Sequence, residues 1–283
     1  MDGTPALERL LRRDRAITAA GLTVLCALAW FYIVTGAGMG QSAWSMTKLS
    51  LFPYALPEPM AGMAGMDMTG MAMRPTAWSL GVWALTIAMW WTMMVAMMTP
   101  SATPTIMLHA RVHRHALAQG QTAGLAPTGP FAAGYLLVWL GFSIVAAVLH
   151  WWLERTGLLS TTMMGSQSKW LSGAVLIAAG LYQLSPWQNV CLSHCRSPAA
   201  FLSRHWRPGV WGAVRLGMLH GAFCVGCCWA LMALLFVGGV MNLAWIAALT
   251  LLVLAEKLVP GGRWVAHGAG VAMLAWGAAT ILM

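Results

Sequence analysis

The sequence predicts an all-α fold, a polytopic bundle of transmembrane helices, and three observations carry that expectation. Of 283 residues, 59% are hydrophobic and 8% are charged, against roughly a quarter charged in soluble domains. Mean hydropathy is +0.70. Apolar runs of about 20 residues recur along the chain, each long enough to cross some 30 Å of hydrocarbon. Soluble β-sandwich, collagen-like and disordered classes are excluded, and no separate soluble domain fits between the runs. A net charge of +9 would suggest nucleic acid in a soluble chain. Here it reads as a topology signal, so the lipid bilayer replaces nucleic acid as the partner.

Seven spans are expected. The first, 16–36, follows a basic cytosolic segment, residues 1–15, that carries Arg9, Arg12, Arg13 and Arg15. Its length and its continuation through Trp30, Phe31 and Tyr32 mark a permanent anchor rather than a cleaved signal. Residues 16–283 then form one membrane domain, in which 37–77 is a long outer loop broken by Pro53, Pro57, Pro59 and Pro75. The second span, 78–99, stops at Pro100. The inner loop 100–130 holds His109, His113 and His115, with His109 and His113 read as an interfacial turn. The third span, 131–153, ends near His150, Trp151 and Trp152, expected at the outer interface. The fourth, 170–186, and the sixth, 241–257, are the shortest. The fifth runs 211–236 and the seventh 264–282. Glu256 and Lys257 read as a helix end before the turn at Pro260, Gly261 and Gly262. Alternation leaves twelve Lys and Arg inside and Lys48, Arg74, Arg155 and Lys169 outside. That asymmetry predicts N-in/C-out.

Soft ligands recur at each level of this arrangement. The outer loop holds Met60, Met63, Met66, Met68, Met71 and Met73 among glycine and alanine, which is no core pattern. Thioethers prefer Cu(I) and resist the loss by oxidation that thiols suffer outside the cell, so this loop is read as a capture site. In the second span Met89, Met93 and Met97 repeat every four residues, with Met94 and Met98 beside them, forming one thioether face. Packing alone also uses methionine in this way.

Five of six cysteines fall between 191 and 228. Cys191, His194 and Cys195 share one helical turn at the inner surface, where a disulfide is disfavoured. His220, Cys224, Cys227 and Cys228 line one face of the fifth span, and an intramembrane histidine marks a functional site. Cys224 lies about 20 Å from the inner end of that span at 1.5 Å per residue. A gap is therefore expected between the two thiol clusters, bridged only by Met93 and Met97.

Met93, Met94, Ala96, Met97, Met98 and Pro100, then Cys191, Cys195, Arg196, Ser197 and Pro198, then His220 to Met232 around Cys224, Gly226, Cys227, Cys228 and Trp229, and finally Glu256, Lys257 and Pro260 form a recognisable set. Over residues 78–283 the chain resembles a bacterial family of predicted metal-binding integral membrane proteins whose function is unknown. The resemblance implies a multi-pass protein of the bacterial inner membrane.

The residues favour copper handling. Cu(I) would pass between thioethers, thiols and His220 by transport, storage or delivery, with zinc as the alternative ion. A copper chaperone or a membrane copper enzyme would be the partner. A transmembrane thiol–disulfide protein is the second reading, although it would have no use for the methionines. A membrane metalloenzyme is the third, but no substrate pocket is evident.

Overall fold

The computed structural model describes residues 4–38, 42–44, 47, 78–119, 128–160 and 164–283. The loop methionines from Met60 to Met73 lie outside the described residues, as do the side chains of the N-terminal arginines. What is described is helical: α1 Thr4–Val34, α2 Leu80–Ala118, α3 Thr128–Arg155, α4 Lys169–Leu184, α5 Pro186–Arg196, α6 Pro198–His205, α7 Gly209–Ala233, α8 Leu235–Gly238, α9 Leu243–Leu258 and α10 Gly262–Leu282.

Five stretches are long and apolar enough to cross a membrane: Ala16–Val34, Leu80–Ala116, Thr128–Arg155, Gly209–Gly238 and Gly262–Leu282. The fourth and sixth expected spans are not among them. Their helices, α4 and α9, have 16 residues each, about 24 Å at 1.5 Å per residue. Local chemistry sets those limits. The Ser185 hydroxyl accepts from the Gln188 amide and Pro186 occupies the first turn, so Ser185 ends α4 and caps a new helix, α5. α9 starts on Asn242, whose side chain accepts from the Ala244 amide.

α2 departs further from expectation, running 39 residues straight through Pro100 and Pro104. Proline at 100 removes the amide that would bond the carbonyl of Ala96. The thiol of Cys26 on α1 donates to that carbonyl instead, at 3.6 Å. A neighbouring helix thus satisfies the freed group, which lets a buried proline persist inside a helix. His109, His113 and His115 consequently sit on α2 rather than in a loop. His109 is no interfacial residue: it is buried, with its ring stacked on Phe131 and on Trp206.

α3 packs on α7, α4 on α10, α1 and α3 on α2, and α5 on α7. The α3–α7 contact is backbone to backbone. A Cβ added at Gly134 would lie 2.1 Å from the Val214 carbonyl oxygen, and one at Gly217 would lie 2.0 Å from that of Phe131. Only glycine allows this approach, the device by which helices pack where no water drives them together. His150, expected at an interface, is buried instead, and Trp90 Nε1 donates to its Nδ1 at 3.4 Å.

Candidate metal centre

α7 carries the centre because its helical repeat puts Cys224, Cys227 and Cys228 on the side that faces α2, α5 and α9, where all three are buried. The thiols of Cys227 and Cys228 donate back to the Cys224 carbonyl at 3.1 and 2.9 Å. Cys224 is left to meet other helices. Lys257 Nζ, arriving on α9, donates to Cys224 Sγ at 2.9 Å and to Ser101 Oγ on α2 at 3.2 Å. The Tyr135 hydroxyl on α3 donates to the Met98 carbonyl at 3.1 Å and lies 3.3 Å from Cys224 Sγ. Met98 Sδ in turn lies 3.8 Å from Cys228 Sγ.

The expected gap between thiol clusters is absent. α5 leans against the middle of α7, and the Cys195 thiol hydrogen-bonds to both Cys224 and Cys227. Cys191 lies over Gly226, where an added Cβ would fall 2.8 Å from its sulfur. The Tyr182 hydroxyl donates to the carbonyl of that same glycine. No long bridge through Met93 and Met97 is needed. Those two residues, with Met89 and Met94, are buried along α2 beside Met98.

The expected histidine ligands stand apart. His194 stacks flat on Phe223 at 4.1 Å between ring centroids, and its Nδ1 lies 2.9 Å from the Val190 carbonyl oxygen. His220 packs among Phe131, Tyr135 and Phe201, and its Nδ1 has no hydrogen-bond partner among the described residues. Tyr135, which packs on its ring, also lies 3.3 Å from Cys224 Sγ, one turn further along α7.

Sequence reasoning missed Lys257, Ser101 and Tyr135. Lys257 reads from sequence as a helix end before a turn, yet it is 6% exposed and turned inward. A signal was present, since Leu258 and Val259 continue the apolar run beyond it. Buried ammonium is costly unless paired, and here the sulfur and the hydroxyl pair it. Glu256 beside it is also buried and accepts from Gln183 Nε2 on α4.

Among the described residues no three His, Cys, Asp or Glu side chains are arranged to hold a metal ion. Zinc asks for a tetrahedral nitrogen and sulfur set of that kind, so zinc is not supported. Cu(I) makes a different demand, because soft thiolate and thioether together select it. The Cys224, Cys228 and Met98 group supplies both.

A model of the PpoB2 family, described as copper chaperone, matches residues 87–280. The chain belongs to that family. The matched stretch begins just before the thioether face of α2 and includes it with all the residues of the thiol centre, while α1 and the methionine loop lie outside it. Membership in the PpoB2 family attaches the chain to copper, as the soft residues suggested. No curated protein and no solved structure matches it.

Proposed function

We propose that the chain is a multi-pass protein of the bacterial inner membrane that holds Cu(I) on Cys224, Cys228 and Met98 and delivers it to a partner copper protein. One observation carries the reading: thiols from two helices and a thioether from a third meet in the interior of a copper chaperone family member. Cys195 and Cys227 are the neighbours through which the ion exchanges, and Cys191, half-buried, lies beside them. Transfer one ligand at a time avoids a bare charge in hydrocarbon. The thioethers of Met97, Met94, Met93 and Met89 lead along α2 toward its Leu80 end, and so toward the loop with Met60, Met63, Met66, Met68, Met71 and Met73. That loop captures copper outside. The proposal keeps seven crossings with N-in/C-out, α4 with α5 and α9 being the short ones, and residues 1–15 as the inner basic segment. Delivery is preferred to storage because a chaperone must let go.

The test is Cys224→Ser with Cys228→Ser in detergent-purified protein kept reduced. Stoichiometric Cu(I), measured by elemental analysis, should disappear while the helical content stays. Unchanged copper in the double variant refutes the centre.

The contact of Cys195 with Cys224 and Cys227 also favours the thiol–disulfide reading. Reversible loss of paired thiols with a dithiol substrate, in copper-free protein, would replace the copper reading.

A further inference from the structure

We propose that Lys257 sets the charge of the ion that the thiol centre accepts, admitting soft monovalent cations and disfavouring divalent ones. The inference rests on the copper reading above and adds a specificity-determining residue to it.

The Lys257 ammonium is buried, and its described partners are Cys224 Sγ at 2.9 Å and Ser101 Oγ at 3.2 Å. The adjacent acid, Glu256, is buried as well, but its carboxylate accepts from Gln183 Nε2 on α4 and makes no ion pair with Lys257 among the described residues. Arg196, the nearby guanidinium, is spent on the carbonyls of Glu256 and Val259 at 3.2 and 2.9 Å. The positive charge at the centre is therefore that of Lys257.

Charge counting then decides which ion fits. Two thiolates, Cys224 and Cys228, one ammonium and one monovalent cation sum to zero. A divalent cation on the same thiolates leaves one uncompensated positive charge among apolar side chains, which is strongly unfavourable. Without the ammonium the ledger reverses, and the divalent ion is the balanced one. Met98 contributes sulfur without charge, so it favours softness and leaves the count alone.

The experiment offers Ag(I), an air-stable monovalent soft ion, and Zn(II) together to the purified full chain under reducing conditions, and measures the bound ratio by elemental analysis. Wild type should retain Ag(I) against excess Zn(II). Lys257→Met should lower that preference on the order of 100-fold, as expected for losing a unit charge a few ångströms from the ion. Adding Cys228→Met to Lys257→Met removes one negative charge and should restore the preference for Ag(I). Lys257→Gln, which can still bond Ser101, repeats the test should the methionine variant fail to fold. A Lys257→Met or Lys257→Gln protein with the wild-type ratio overturns the role of Lys257. Wild-type protein that holds neither ion overturns the thiol centre itself, a result distinct from an unchanged ratio.

Discussion

Gly217→Ala probes whether the centre depends on the distance between α3 and α7. The added Cβ would sit 2.0 Å from the Phe131 carbonyl oxygen, 2.9 Å from its carbon and 3.1 Å from the Tyr135 amide nitrogen. All three are backbone atoms, so no side chain can swing aside. Reaching ordinary contact at 3.4 Å requires the helices to part by about 1.4 Å, an overpacking that costs about 3 kcal/mol. Tyr135 lies one turn from Phe131 on α3, so the same displacement lengthens its 3.3 Å contact with Cys224 beyond hydrogen-bond range. Two readouts follow, the thermal unfolding midpoint in detergent and Cu(I) affinity in competition with a chelator, and both should fall. Gly268→Ala is the control, because a Cβ there meets nothing within 4 Å, and it should be neutral or stabilise by up to about 1 kcal/mol. Gly217→Ala with an unchanged midpoint and unchanged affinity would refute the argument that this approach holds the centre together.

Met98→Leu conserves volume, so stability should change by less than about 1.5 kcal/mol, while Cu(I) affinity drops with the lost thioether; equal affinity would remove Met98 from the centre. Alkylation by iodoacetamide should reach half-buried Cys191 before the buried Cys224, Cys227 and Cys228, and mass spectrometry identifies the site. Labelling of Cys191 should still be slower than for a free thiol, because neighbouring side chains cover part of its sulfur. Deleting residues 60–73 should weaken capture at low copper and leave the ion of the thiol centre in place; loss of all copper would make the loop the principal site.

Helical class was legible because composition and apolar runs are global signals, and α3, α7 and α10 fall near their expected limits. α2 was not, because proline is a local stop signal whose cancellation depends on Cys26, on another helix and seventy positions from the Ala96 carbonyl to which it donates. The face of α7 could be read from its periodicity, which is why Cys224, Cys227 and Cys228 were found. Their union with Cys195 could not be read, since it depends on how α5 turns at Ser185 and folds back on α7. Lys257 was misjudged for a related reason: α9 is short, so its charged end arrives beside Cys224 rather than in solvent.

The length of α2 has a mechanical consequence. At 39 residues it measures about 58 Å, nearly twice the thickness of a hydrocarbon core. Bending in such a rod concentrates at proline, and Pro100 stands between Met98 and Ser101, the two α2 residues at the centre. The helix is thus a lever with its fulcrum beside Met98, and its far arm ends near Arg111 and Arg114. A partner that pulls on that arm would tilt Met98 relative to Cys228, loosening the grip on the ion without touching it.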